Sequence, residues 1–451
     1  MKKRVSLSTS HIIMLGFLAV IAIGSLLLWL PISAADGQAV SYADALFTAT
    51  TATCVTGLVT LPTVSTWSVF GQVVILLLIQ IGGLGVVTVM AGLMMALHRR
   101  IGLSDRLLIQ DAFNLNSLSG LTRFVRKVLI GTAAIEGVGA LLCLPVFLPR
   151  FGAKGIWIAV FHSVSAFCNA GIDIFATDSL CGYATHPLLN AVTATLIVLG
   201  GIGYIVWWDV LRVLPTLKRQ GLRGFRNLTL HSKLALWVTA ALLLGGAVGY
   251  FLLEYRNPLT IGNLNLFDKI QVSLFQSVTT RTAGFASVPQ ENLTDASVFL
   301  SLLLMFVGGS PVGTAGGVKT VTVFILLASA FATIKNKSDT VLFRRTVSKA
   351  ALGKALAVVC MSFLIVVAST LLLSTVTDAP LADILYETVS ATATVGLSRN
   401  LTSSLELWGK LIVIATMYLG RIGPISLAVA FNVRSENHNT IKDPVEDVRV
   451  G

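Results

Sequence analysis

Four short stretches of this chain share a composition suited to one kind of chemistry. Residues 48–57 read Thr-Ala-Thr-Thr-Ala-Thr-Cys-Val-Thr-Gly, and residues 162–171 read His-Ser-Val-Ser-Ala-Phe-Cys-Asn-Ala-Gly. Residues 275–284 read Phe-Gln-Ser-Val-Thr-Thr-Arg-Thr-Ala-Gly, and residues 387–396 read Glu-Thr-Val-Ser-Ala-Thr-Ala-Thr-Val-Gly. Each runs small and hydroxyl residues into a glycine, and successive glycines stand 114, 113 and 112 residues apart. So regular a period means four copies of one unit. A cation forms no directional bonds, so a tight ring of backbone carbonyls can replace its water. Glycine reaches the left-handed dihedrals that aim successive carbonyls at one axis. The candidate ion-binding residues are therefore Val55, Thr56 and Gly57, Asn169, Ala170 and Gly171, Thr282, Ala283 and Gly284, and Thr394, Val395 and Gly396.

Such stretches need elements that hold them at membrane depth. The chain supplies them: it is 55% hydrophobic and 12% charged, with a mean hydropathy of +0.83. Soluble globular proteins carry about 25% charged residues, so this is a polytopic membrane protein. Its net charge of +12 does not indicate nucleic acid, because 24 of the 33 Lys and Arg fall in both tails and in 98–128, 212–233 and 335–354. These stretches alternate with apolar spans, the positive-inside pattern. Spans are predicted at 12–30 and 72–97, 128–148 and 189–211, 234–253 and 297–331, and 353–376 and 407–431. Between the members of each pair lies a pore-helix candidate: 42–53, 157–167, 267–280 and 381–392. These are too short to cross, so they are re-entrant, and their backbone survives at depth only beside water or protein. Their C-terminal, partly negative ends favour a cation.

The predicted fold is all-α, with four tandem parallel span–pore-loop–span repeats, eight transmembrane helices and four re-entrant pore helices around a K+-channel-like pore. The repeats divide at 1–110, 111–222, 223–340 and 341–451, the last ending in a cytoplasmic tail. An even number of spans places both termini on one side, and the basic loops make that side cytoplasmic. Lys2, Lys3 and Arg4 followed by an apolar run resemble a signal peptide, but the 19-residue run at 12–30 is expected to stay as the first span. Five cysteines, at 54, 143, 168, 181 and 360, form no CxxC pair and argue against a disulfide framework, and Cys54 and Cys168, at one position of repeats one and two, read as packing residues.

The span at 297–331 is abnormal. As a straight helix it would be ~52 Å long against a core of ~30 Å. Its middle, 308–320, holds five glycines and a proline and cannot stay helical. A flexible intramembrane loop is expected just cytoplasmic of the filter, containing Gly308, Gly309, Ser310, Gly313, Thr314, Gly316, Gly317 and Lys319. The Gly-Gly-x-Gly runs at 82–85 and 200–203 fall at the same place in repeats one and two. They read either as close helix packing or as part of the pathway. Arg421 occupies that register in repeat four, as a structural salt bridge or as a latch that repels cations. Lys319 either lines the path or snorkels. Glu136 and Asp209 read as interhelical hydrogen-bonding partners, and His162 and Glu387 as anchors of their pore helices. Residues 313–320 miss the second required glycine of a P-loop, 308–312 miss the last glycine of a nucleophile elbow, and no catalytic or metal-ligand cluster is visible.

The four-fold unit, the single glycine per stretch, the Gly-Gly-Ser-Pro…Gly-Gly-Val-Lys-Thr break and the Leu-Gly-Arg-Ile-Gly-Pro ending resemble the Trk/Ktr/HKT superfamily of K+ transporters. The resemblance covers essentially the whole chain and is strongest to bacterial KtrB-type membrane subunits. It implies K+ uptake across the cell membrane, a bacterial inner membrane, down the electrochemical gradient and often stimulated by Na+. It implies a homodimer with one pore per protomer, embedded in lipid, and a KtrA-like cytoplasmic ring of nucleotide-binding regulatory subunits. It casts 308–317 as the gate and Arg421 as its partner. No stretch has the second glycine of Thr-Val-Gly-Tyr-Gly, which implies fewer ion sites and looser selection among K+, Rb+ and Na+. The competing reading is an obligatorily coupled cation symporter, Na+/K+ or H+/K+, but such folds usually have inverted repeats. A membrane-embedded enzyme is disfavoured by the missing catalytic cluster.

Overall fold

The computed structural model describes residues 9–35, 39–98, 102–112 and 120–423. In chain order, α1 (Thr9–Trp29) leads to the pore helix α2 (Tyr42–Cys54), a single turn α3 (Thr63–Thr66), and then α4 (Val69–Leu84) and α5 (Val86–Ala96). After α6 (Leu103–Ala112), α7 (Leu121–Phe151) leads to the pore helix α8 (Lys154–Cys168), then α9 (Pro187–Gly201) and α10 (Tyr204–Gln220). The third unit runs through α11 (Leu230–Glu254), the pore helix α12 (Leu266–Thr279), α13 (Asp295–Phe306) and α14 (Thr320–Ile334). A two-residue hairpin, β1 (Val341–Leu342) with β2 (Arg345–Thr346), precedes α15 (Lys349–Ser374), the pore helix α16 (Leu381–Ala393), a turn α17 (Leu401–Ser404) and α18 (Leu407–Ile422).

Among the described residues, α1, α7, α11 and α15 are long and apolar enough to cross a membrane. Their outward faces carry exposed apolar side chains such as Ile23, Leu141, Leu244 and Leu371, as a lipid-facing surface requires. The pore helices are the reverse. Residues 44–54 are buried except Leu46, although most of the others are Thr or Ala. Their hydroxyls survive burial by bonding back to the preceding turn, as Thr50 Oγ1 does to Leu46 O at 2.8 Å and Thr388 Oγ1 to Ile384 O at 3.0 Å. Side-chain caps start two of these helices. Asp44 N bonds Ser41 Oγ at 3.1 Å, and Asp268 N bonds Asn265 Oδ1 at 2.8 Å.

The units close into a ring. Each pore helix packs on the long helix before it, and α4 also packs on α8, α9 on α12, α13 on α16 and α18 on α2. The second arm of every unit thus supports the next unit's pore helix, and the last supports the first. An ion pair, Lys410 Nζ to Asp44 Oδ1 at 2.6 Å, pins the closing joint.

Two expectations need correction. The spans at 72–97 and 189–211 are not continuous: α4 and α5 meet at 102°, α9 and α10 at 98°. Gly85 and Gly203 turn the chain there with φ of 84° and 95°, which an L side chain rarely adopts. Helix breaks therefore occur in repeats one and two as well as three. In repeat four α18 stops at Ile422 with Gly423 at φ 84°, and the rest of the expected span to 431 lies outside the described residues, as do both tails.

Candidate functional site

Each pore helix is followed by a left-handed residue, at the C-cap itself in repeats one, two and four and two residues beyond it in repeat three. Val55, Asn169, Thr282 and Thr394, each two residues before a candidate glycine, are left-handed, with φ between 50° and 64°. None is glycine, and Val55 and both threonines are β-branched. This is a strained choice that only a strongly determined surrounding sustains. Hydrogen bonds supply that determination. Thr56 N, Ala170 N and Val395 N return to Thr51 O, Ser165 O and Ser390 O at 2.8 Å, and Ala283 N to Thr279 O at 3.0 Å. A hydroxyl from the same helix then grips the strand: Gly57 N donates to Thr51 Oγ1 at 3.0 Å and Gly396 N to Ser390 Oγ at 3.1 Å. Ser165 Oγ donates to Ile172 O and Thr279 Oγ1 to Phe285 O, both at 2.6 Å. The sequence reading passed over Thr51, Ser165, Thr279 and Ser390 as holding groups. The signal was present as a hydroxyl five or six residues before each glycine.

The four glycines come together from positions up to 339 residues apart. A Cβ built on Gly57 would stand 2.5 Å from Ala170 O, on Gly171 2.6 Å from Gly284 Cα, on Gly284 2.7 Å from Val395 O, and on Gly396 2.9 Å from Gly57 Cα. Neighbours run one to two to three to four and back to one, so the backbones form a closed ring with no room for a side chain. The adjoining Thr56, Ala170, Ala283 and Val395 are buried.

Directly against this ring lies the chain break of repeat three. Val307 and Val318 pair in parallel, with Gly308 N to Val318 O at 3.0 Å and Val318 N to Phe306 O at 3.1 Å, which closes the neck of the loop. Its tip reaches into the other units. Ser310 N donates to Gly201 O at 2.9 Å and Thr314 N to Gly200 O at 3.1 Å. Thr314 Oγ1 lies 3.1 Å from Phe167 O and 3.2 Å from Asn169 Oδ1, and Gly316 N donates to Thr282 Oγ1 at 3.1 Å. In this conformation the loop is seated by hydrogen bonds to its surroundings. Its glycines permit close approach, and Ser310, Thr314 and Ala315 are buried in a hydrogen-bonded seat. Few apolar contacts are needed when the backbone itself is bonded.

Three cations complete the arrangement. Arg421 donates to Thr314 O at 2.8 Å and to Gly82 O at 2.6 Å, joining loop, repeat one and repeat four. Among the described residues it has no carboxylate partner, which disposes of the salt-bridge alternative there. Lys319 Nζ folds back on Ala315 O at 2.6 Å instead of snorkelling. Arg281, which sequence reading counted only as part of a filter stretch, donates to Gly308 O at 3.1 Å. A cavity of about 390 Å³ opens beside the loop, lined by Gly82–Thr88, Tyr204, Val312, Gly313, residues 315–319 and Arg421.

The remaining candidates hold elements in place. Glu136 accepts from Gln80 Nε2 at 3.2 Å. Asp209 accepts from Thr229 N at 2.9 Å and so fixes the start of α11. Glu387 takes Thr402 Oγ1 at 2.5 Å and Ser398 Oγ at 2.7 Å, and His162 meets Thr193 Oγ1 at 2.8 Å. Cys54, Cys143 and Cys168 are buried and unpaired by disulfides. Gly82 and Gly200, for which packing and pathway roles stood open, abut the pore-helix carbonyls Thr53 O and Phe167 O.

A family model of TrkH cation transport proteins matches residues 4–442. The chain is 39% identical over 450 residues to the Ktr system potassium uptake protein B of Bacillus subtilis, covering 100% of this chain and 98% of the relative. It is 39% identical over 459 residues to the potassium/sodium uptake protein NtpJ of Enterococcus hirae, covering 100% of this chain and 99% of the relative. The crystal structure of the potassium transporter TrkH from Vibrio parahaemolyticus has a TM-score of 0.75 at 16% identity, covering 95% of this chain and 86% of that one, so it shares the fold.

Proposed function

The chain belongs to the TrkH family of cation transport proteins, and from that premise we propose that it is a K+ uptake pore with its filter at Gly57, Gly171, Gly284 and Gly396 and its gate at 308–317. The observation that carries the reading is the closed ring of four glycine backbones, packed too closely to admit a side chain, as a filter built from backbone carbonyls requires. The loop seated directly against that ring supports the gate. It occupies space below the filter, and Arg421 adds a positive charge that opposes a cation.

Thr314 Oγ1 donates to the C-terminal carbonyl region of pore helix α8, at Phe167 O. That bond exists only while the tip is seated, so opening exchanges it for hydration of the pore-helix end. Relatives named as components of a Ktr system support a partner subunit; in this proposal that partner is cytoplasmic and nucleotide-binding, drives this exchange, and works on a homodimer in the cell membrane. The pairing of potassium with sodium in a relative's name supports Na+ as an activator. The basic stretches at 212–233 and 335–354 support cytoplasmic termini.

Flux into proteoliposomes tests the reading. Downhill K+ flux without a second ion is expected, faster in the presence of Na+. A fixed and obligatory stoichiometry with Na+ or H+ would replace the pore by a symporter.

A further inference from the structure

Arg281 is 7% exposed, lies at the end of a re-entrant helix, and has no carboxylate partner among the described residues. Its guanidinium donates through Nη2 to Gly308 O at 3.1 Å and through Nη1 to Thr239 O at 3.5 Å, and its buried Nε meets no acceptor. A buried charge resting on two carbonyls is costly, so its neighbours must need what it does. The next residue, Thr282, is left-handed at φ 64° and accepts from Gly316 N at 3.1 Å. Consecutive residues of the repeat-three strand thus hold both arms of the intramembrane loop, Gly308 on the way in and Gly316 on the way out. The other three repeats have Cys54, Cys168 and Ala393 at the register of Arg281, and none of these side chains can make such a tie. Only the repeat that carries the loop carries the arginine.

The ties of the loop fall into two groups. Those of its tip, at Ser310, Val312 and Thr314, go to Gly200, Gly201, Tyr204, Phe167, Asn169 and Arg421. Those of its neck go to the paired strand at Val318 and to Arg281. A tip can leave its seat while the neck stays fixed only if something immobile grips the neck. Arg281 reaches it from the filter strand and is braced on Thr239 of the long helix α11.

We propose that Arg281 is a positioning residue that fixes the neck of the loop and the repeat-three filter strand to each other, so that the tip can move without the filter losing its shape. The proposal rests on the filter-and-gate reading above. It makes repeat three the place where gating and selectivity are kept separate, and it assigns Arg281 to the K+/Na+ discrimination of a ring that its side chain does not enter.

The test uses the full chain in proteoliposomes and reads the K+/Na+ flux ratio in four proteins: the parent, R421A, R281Q/R421A and R281K/R421A. The R421A background supplies flux through a freed tip. R421A is expected to raise flux with the parent ratio. R281Q in that background should lower the ratio about tenfold, the worth of one buried charge-assisted hydrogen bond. R281K keeps a charge but not the two-pronged brace, and should lower the ratio by a smaller factor of about three. The parent ratio in either Arg281 variant that folds overturns the proposal. So does a ratio that falls as far in R421A alone. If R421A and a deletion of 311–313 both fail to raise flux, the gate reading fails instead, and the two failures are told apart.

Discussion

Replacing Arg421 by Ala removes two charge-assisted hydrogen bonds at once, 2.8 Å to Thr314 O on the loop and 2.6 Å to Gly82 O on the first repeat. The loop keeps its other ties, from Ser310 N, Thr314 N and Thr314 Oγ1. The change therefore weakens the closed state and leaves the closed geometry intact. Only the bond to Thr314 O connects the arginine to the moving part. One hydrogen bond to a charged group contributes about 1.5–3 kcal/mol, so the open population should rise roughly 10- to 100-fold while it is small. Loss of the positive charge lowers the barrier to a cation in the same direction. Arg421→Lys separates the two effects. It retains the charge but cannot span both carbonyls, and should fall between parent and Arg421→Ala. The assay is 86Rb+ or K+ uptake by purified protein in liposomes without any regulatory subunit. Size-exclusion profiles must first match the parent, since Gly82 O loses a partner. Well-folded Arg421→Ala with flux at or below the parent would refute the latch and reduce 308–317 to an irregularity of packing.

Other consequences are as direct. Gly57→Ser and Gly396→Ser should abolish most K+/Na+ discrimination, because a Cβ there meets the backbone of the neighbouring repeat, whereas Gly245→Ser, where a Cβ meets nothing within 4 Å, should behave as the parent in the same flux assay. Lys410→Met should lower thermal stability in detergent by about 1–3 kcal/mol by stranding Asp44, and Asp44→Asn in the same chain should recover part of it, measured as a shift in the unfolding midpoint. Single cysteines at Lys337 and at Arg219 in a cysteine-free background should react with impermeant maleimide only from the cytoplasmic side, and labelling of either from outside intact cells would reverse the topology.

The pore helices were legible in the sequence because their starts and stops are local events. Ser41 with Asp44 and Asn265 with Asp268 are cap signatures, and a glycine three to five residues beyond a polar helix marks its end. The bends at Gly85 and Gly203 were not legible. The Gly-Gly-x-Gly runs at 82–85 and 200–203 read as close packing or pathway, and the positive φ that makes the bend leaves no separate mark in residue type. Seating of the loop was equally hidden. Its acceptors at Gly200, Gly201 and Phe167 lie more than 100 residues away, and a backbone carbonyl leaves no trace in residue type. Arg421 stood out as a charge in an apolar span. Arg281 sat among threonines in a polar stretch, so its charge looked ordinary until Gly308 was found beside it.

The ring of four glycines is closed, but its corners are not alike: Val-Thr-Gly, Asn-Ala-Gly, Thr-Ala-Gly and Thr-Val-Gly. In an assembly of four identical chains a substitution at one corner arrives at all four, and a tolerable change becomes a lethal one. Here each corner is encoded separately. A mutation touches one quarter of the ring, and the other three corners keep their sequence. Selection can therefore try corners one at a time. Repeat three can take on a loop and repeat four an arginine, neither of which a symmetric ring could hold four times over.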